Sequence, residues 1–392
     1  MKQFSVSTRV IYRPGSHTYL PDLLNELGIR KILIVTDPGV MASGIIERFK
    51  KPLSDSMIDF HSWANIESDP SNKTVEEGFE FWKTVRSDAI VAIGGGRAID
   101  VAKGIGVLAT NDGKILDYVG RNKIVRPPLP LIAFPTSCGT GSEVSPAAVF
   151  SDPEKKEKMT IVSSLLFPMV ALLDPHLLET LPPRWISFTA MDAFSHAFEA
   201  YFSQLSTPVT DSLSISAIQL IYKNVWKASH EEDVSSKGDL LWASTMAGMA
   251  MSNARLGVCH AIAHPLGSYL KIPHSHAVTN TLFHLLEYYY SDCCYERLAA
   301  LLPVIGNGYK GEKPSLQGRA KEVVETLRKM ILKLDVLGIT RGLEKETLIA
   351  EKQVELIVDS VLGSPLLEVS RYQPTPEDLR MIVRRIISPS PT

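Results

Sequence analysis

This 392-residue chain contains ten histidines, and four of them, His260, His264, His274 and His276, fall within 17 residues. Upstream lies Asp192-Ala193-Phe194-Ser195-His196, in a helical pattern that puts Asp192 and His196 one turn apart on one face. His260 and His264 repeat that spacing, and His274 follows Pro273 at an expected bend. One carboxylate and three imidazoles suit a divalent cation such as Fe2+, Zn2+, Mn2+ or Ni2+. With a position left to substrate or water, such a site is Lewis acidic. Taken singly, each histidine reads as an ordinary core or surface residue; the two i, i+4 pairs with His274 favour a metal. Asp192 is also flanked by Ala190, Met191, Ala193 and Phe194. A carboxylate buried there needs a partner, and a cation is one.

A second chemistry sits in two glycine segments. Gly94-Gly95-Gly96-Arg97-Ala98-Ile99-Asp100 follows an apolar run and opens a helical pattern. Glycines allow close backbone approach, and a helix start offers unpaired N–H groups to a phosphate. The strict GxGxxG and GK[ST] patterns are absent, so the run reads either as a phosphate cradle or as a tight structural turn. Pro135-Thr136-Ser137-Cys138-Gly139-Thr140-Gly141-Ser142-Glu143 also follows an apolar run. Its hydroxyls suit the phosphates and ribose of a nucleotide, or else a Ser/Thr turn. Asp37, just before Pro38-Gly39, reads either as an acceptor for a ribose hydroxyl or as a helix cap.

These residues need elements to hold them. Lys31–Thr36, Ala89–Ile93 and Leu131–Phe134 read as buried strands, with amphipathic stretches such as Thr74–Arg86 between them. The alternation predicts βαβ units and a parallel sheet. Beyond Asp174–Arg184, a proline-punctuated stretch, strand signals become scarce. Trp185–Ser203, Val209–Trp226, Leu240–Ala254, Arg319–Leu337 and Pro376–Ile387 read as helices, and Gly306–Pro314 as an exposed loop. The expected organisation is a Rossmann-like α/β domain over 1–178 and an all-helical, metal-binding domain over 179–392.

Composition excludes several classes. Lys plus Arg total 41 against 43 Asp plus Glu, a net charge of −2, which argues against nucleic acid or a membrane surface as a general partner. No apolar run reaches the length of a membrane span, and no secretory signal is visible. The four cysteines, Cys138, Cys259, Cys293 and Cys294, form no CxxC pair, as expected of a reduced cytoplasm.

Together, GGGRAID at Gly94–Asp100, PTSCGTGSEVS at Pro135–Ser145, DAFSHAFEAYFS at Asp192–Ser203 and CHAIAHPLGSYLKIPH at Cys259–His274 resemble the iron-containing (group III) alcohol dehydrogenase family. The order and spacing match over about 180 residues, and weaker echoes such as PTPEDLRMIV extend the match. The resemblance implies an active site in a cleft between a dinucleotide-binding domain and a helical domain. It makes Asp192, His196, His260 and His274 ligands of Fe2+, or of Zn2+ in some members. It makes His264 a catalytic histidine beside the nicotinamide that does not bind the metal. Gly94, Gly95, Gly96, Asp100, Thr136, Ser137 and Thr140 match cofactor contacts, Lys158 falls near the ribose, and Asp37 matches the acid favouring NAD over NADP.

Three residues depart from the pattern. Arg97 stands where many members have serine and adds a possible pyrophosphate contact, which leaves NADP open. Ser275 replaces a glycine after the last ligand, and His276 is an extra imidazole beside the site. The implied reaction is reversible hydride transfer between a small alcohol and NAD, in a homodimer or higher homo-oligomer. The alternatives of the same fold are a glycerol or polyol dehydrogenase, a metal-free maleylacetate reductase and a dehydroquinate synthase-like lyase. A non-enzymatic NAD-binding protein is the alternative from outside enzymology. Pocket-lining side chains are expected around Phe194, Phe198 and Cys259–Leu266.

Overall fold

The computed structural model describes residues 2–67, 69–152, 157–231, 233–291, 293–306, 314–337 and 351–387. Most of the expected 306–314 loop lies outside them. The chain divides into two compact units, Ser5–Pro182 with Glu232–Gly248, and Met1–Phe4 with Pro183–Glu231 and Met249–Thr392. Residues 232–248 therefore group with the α/β unit although they follow residue 178.

The strands of the first unit, in chain order, are β1 (Arg9–Tyr12), β2 (Lys31–Val35), β3 (Asp59–Trp63), β4 (Ala89–Gly94), β5 (Gly120–Arg121), β6 (Leu131–Pro135), β7 (Ala147–Asp152), β8 (Glu157–Val162) and β9 (Val170–Leu173). Six form one sheet in the order β1-β9-β6-β4-β2-β3, every pair parallel. Parallel strands are covered on both faces and so read as continuous apolar runs. In β2, Leu33 and Val35 enter one core while Ile32 and Ile34 enter the other. The helices here are α1 (Leu20–Glu26), α2 (Pro38–Ala42), α3 (Glu47–Asp55), α4 (Asn72–Val85) and α5 (Gly96–Thr110).

From β2 the chain moves outward to β3, then returns across β2 to β4 and continues to β6. The order reverses between β2 and β4, and such a switch point opens a crevice at the carboxyl ends of the strands. Those ends carry Asp37 and Gly94. A smaller sheet, β5-β8-β7, has no counterpart in the sequence expectation.

The second helical stretch comprises α6 (Pro183–Tyr201), α7 (Pro208–His230), α8 (Val234–Ala254), α9 (Val258–Leu270), α10 (His274–Tyr289), α11 (Tyr295–Ile305), α12 (Leu316–Lys333), α13 (Glu351–Leu362) and α14 (Pro376–Ile387). Helix α6 is buried on every side from Ala190 to Tyr201, so it shows no polar stripe. Among the described residues, no helix is long and apolar enough to cross a membrane.

Candidate functional site

In the helical unit, α6 supplies Asp192 and His196, α9 supplies His260 and His264, and α10 begins at His274. Pro273 precedes α10 as its N-cap, which fixes where the His274 ring can stand. Three imidazole nitrogens converge on one oxygen. Nε2 of His196, His260 and His274 lie 3.7, 3.9 and 3.6 Å from Asp192 Oδ1. Asp192, His196 and His260 are buried, while the His274 ring is 47% exposed and forms the open side.

Among the described residues, Asp192 Oδ1 and His260 Nε2 are buried without a hydrogen-bond partner. Burial raises the Asp192 carboxyl, but the facing His196, His274 and His260 outweigh it and hold the group below its ordinary value. Burial, then His196 and His274, push His260 far below the imidazole range, so it is neutral. A charged carboxylate and a neutral imidazole are the forms that bind a cation. The donor set and its two orphaned atoms therefore fit the metal that the residues imply.

His264 lies beside this group and is exposed. Its ring centroid stands 5.7 Å from that of His260 and 5.6 Å from that of His274. His276 turns elsewhere, edge-on to Phe188 at 3.7 Å with Trp185 at 6.0 Å. Burial, then Arg184, lowers its pKa. Phe194 and Phe198 stack on each other along α6. Both are fully buried, with Phe198 packed on Phe202 and Tyr289, because α6 is enclosed by its neighbours. The sequence reading missed Glu199, whose carboxylate meets Nδ1 of His260. Burial pushes it up to about 7, against the amides of Cys259, His260 and Gly257. An acid three residues past His196 in an apolar helix was its only signal.

In the α/β unit the two glycine segments meet. A Cβ on Gly96 would fall 2.5 Å from Thr140 Oγ1, and one on Gly95 would fall 3.3 Å from Ser137 Oγ. A Cβ on Gly94 would stand 3.4 Å from Asp37 Oδ2, so the acid at the end of β2 flanks the turn. Gly95 is the N-cap of α5 and brings no side chain to its first turn, whose N–H groups suit an anion. The turn, the hydroxyl loop and Asp37 thus surround one helix start, which fits a dinucleotide. Asp37 also accepts the Val40 amide at 2.9 Å, so it serves as a helix cap as well.

Two further expected residues are engaged within the protein. Asp100 accepts the Ser142 hydroxyl and, at 3.0 Å, the Val149 amide. Lys158, on β8, pairs with Asp69 and reaches Ser151 Oγ at 2.9 Å. The charge of Arg97 also acts on Asp69. Thr136 is buried at the start of the loop, its amide bonded to the Gly94 carbonyl at 3.1 Å. Lys103, unforeseen from the sequence, holds this loop. Its ammonium donates to the carbonyls of Ser142 (2.8 Å), Ser145 (2.9 Å) and Ala147 (2.7 Å) and to Ser142 Oγ (3.1 Å). Gly141 takes a left-handed φ of 61°, and a Cβ there would fall 2.5 Å from the Gly248 backbone. Only glycine fits that turn.

Comparison with known proteins agrees with both halves. Residues 7–175 match the model for iron-containing alcohol dehydrogenase, and 186–387 the C-terminal model of the same family. The NAD-dependent methanol dehydrogenase of Bacillus methanolicus is 31% identical over 99% of this chain and all of its own. A solved 1,3-propanediol oxidoreductase superposes with a TM-score of 0.92 at 28% identity, over 99% of this chain and all of that one. An alcohol dehydrogenase from Oenococcus oeni gives 0.90 at 27%, over 98% and 100%. The chain therefore belongs to the iron-containing alcohol dehydrogenase family and is a metal-dependent, NAD-linked alcohol dehydrogenase.

Proposed function

We propose that this chain interconverts a small primary alcohol and its aldehyde with NAD(H), holding Fe2+ on Asp192, His196, His260 and His274. The observation that carries the metal set is the pair of buried, unpartnered atoms Asp192 Oδ1 and His260 Nε2, faced by His274 and His196. They argue against the metal-free alternative, since such a pair costs free energy unless a cation joins it. The small substrate rests on relatives named for methanol and 1,3-propanediol.

A divalent cation there supplies Lewis acidity, stabilising negative charge as it develops on the substrate oxygen. Asp192 would contribute the charge that holds the cation, and the buried rings of His196 and His260 keep water from their part of the site. The half-exposed His274 would be the ligand nearest an entering substrate. His264, exposed beside His260 and His274, takes up the hydroxyl proton on a ring nitrogen and passes it to solvent. Gly94, Gly95, Gly96, Arg97, Thr136, Ser137 and Thr140 bind the cofactor's phosphates and ribose. Asp100 supports their loop through Ser142, and Lys158 acts from the neighbouring β8. Asp37 repels a 2′-phosphate, so NAD is preferred to NADP. Asp37→Ser keeps the helix cap and should raise kcat/KM with NADP+ relative to NAD+. The expected homodimer and cytoplasmic location belong to the same reading, and light scattering and cell fractionation decide them.

The deciding experiment is metal content after anaerobic purification without chelator, followed by NADH consumption on a panel of short aldehydes. About one equivalent of metal, lost in His274→Ala together with aldehyde-dependent turnover, is the expected result. Turnover without metal, even after add-back, would overturn the reading.

A further inference from the structure

Helix α6 carries a second acid on the face that bears Asp192 and His196. Asp192, His196 and Glu199 follow at i, i+4 and i+7, one stripe of the helix. Glu199 is 1% exposed and spends its carboxylate on α9. Oε1 accepts the amides of Gly257 (3.0 Å), Cys259 (2.7 Å) and His260 (3.4 Å). Gly257 is the N-cap of α9 and brings no side chain to that position. These are amides that a helix start leaves unpaired. Glu199 thus supplies from another helix what a local capping side chain usually provides.

The other oxygen sets a tautomer. Oε2 of Glu199 contacts Nδ1 of His260. Burial works against the charged form, but three amides and the positive end of α9 converge on Oε1 and hold the group as an acceptor, so Oε2 meets Nδ1 as an acceptor too. Nδ1 must then carry the proton, and in a neutral imidazole that leaves the lone pair on Nε2. Nε2 is the buried atom with no hydrogen-bond partner among the described residues, 3.9 Å from Asp192 Oδ1.

We propose that Glu199 is the positioning residue of the metal centre: it caps α9 and holds the His260 proton on Nδ1, so that the Nε2 lone pair faces Asp192. The inference rests on the metal reading of Asp192, His196, His260 and His274. It implies that one side chain couples the folding of α9 to the affinity of the site.

Glu199→Gln tests it at constant shape. The amide keeps an oxygen for the α9 N–H groups but presents an NH2 to Nδ1. That drives the proton to Nε2, where it blocks the lone pair. The full-length chain is stripped of metal, and Zn2+ affinity is measured by chelator competition for wild type, Glu199→Gln and His274→Ala. Nitrogen-15 histidine NMR of the metal-free chains reads the tautomer. The expected outcome is a loss of about 10–100-fold in Zn2+ affinity in Glu199→Gln. The metal-free unfolding midpoint should stay near wild type while the His260 proton moves from Nδ1 to Nε2. A merely structural role would lower that midpoint and leave the affinity unchanged, which overturns the proposal. If Glu199→Gln fails to fold, wild type alone still decides, because a proton on Nε2 in the metal-free chain overturns it. His274→Ala separates the two failures. If it keeps wild-type Zn2+ affinity, the metal reading itself falls. If it loses Zn2+ while Glu199→Gln does not, only the role of Glu199 falls.

Discussion

Nε2 of His260 stands 3.9 Å from Oδ1 of Asp192, both atoms are buried, and neither has a hydrogen-bond partner among the described residues. The gap is too long for a hydrogen bond. It suits a cation between them, with bonds of about 2.0–2.2 Å to each.

Asp192→Asn should therefore separate stability from metal retention. It keeps the size of the buried side chain but removes a charge that the facing histidines stabilise, so the metal-free variant should lose only modest stability. Zn2+ at 100 times its Kd should stabilise wild type by about 2.7 kcal/mol. The variant should gain almost nothing. Thermal unfolding with and without Zn2+ measures both, and an equal gain in the two proteins would refute the ligand role.

Gly96→Ala tests the approach of the two glycine segments. Its Cβ would fall 2.5 Å from Thr140 Oγ1 and 2.8 Å from Thr140 Cβ. Overpacking of that kind costs about 1–3 kcal/mol. NADH affinity, read by fluorescence, should fall while metal content stays at wild-type level. Thr140→Gly, which removes every atom of the clash, should restore much of the stability.

Lys103→Met should destabilise the α/β unit by about 3–5 kcal/mol, since it strands a buried carboxylate. The ammonium side chain is 1% exposed, 3.8 Å from Asp100 Oδ1, and serves three loop carbonyls. Urea unfolding measures the loss, and a midpoint within error of wild type would contradict the role assigned to it.

His284 should shape the acid limb of stability. Burial, then Arg328 and Arg385, push it down to about 4, with Glu287 opposing. An unfolded histidine titrates near 6.5. Between those values the unfolded chain binds more protons than the folded one, so stability rises with pH from about 4 to 6.5 and is lost as pH falls through that window. His284→Asn should flatten this limb. Unfolding midpoints at pH 4.5 and 7 check it, and an unchanged slope would count against it.

Much of the site was legible before the fold. The i, i+4 spacing of Asp192 with His196, and of His260 with His264, already places each pair on one helix face. The apolar runs of β2, β4 and β6 announce a covered parallel sheet. Less legible were α9, α10, α11 and α13. In α9 and α10, burial over much of their length blurred the amphipathic stripe from which periodicity is read. The small sheet β5-β8-β7 was missed because in β7 and β8 only alternate residues, Ala148, Phe150, Met159 and Ile161, enter the core, which leaves no continuous apolar run to read.

What the sequence determined by itself was chemistry confined to single elements: a glycine turn before a helix, a hydroxyl loop, and acid and histidine one turn apart. Spacing along one element sets which side chains share a face, so those relations survive without a fold. Tertiary structure alone decided which elements meet. It placed three Nε2 atoms from α6, α9 and α10 around one Asp192 oxygen, and Thr140 against Gly96. It also turned Glu199 and Lys103 from unremarked charges into the groups that hold α9 and the hydroxyl loop. The reason is physical. A buried charge persists only where partners from elsewhere in the chain satisfy it, and no local pattern of residues records those partners.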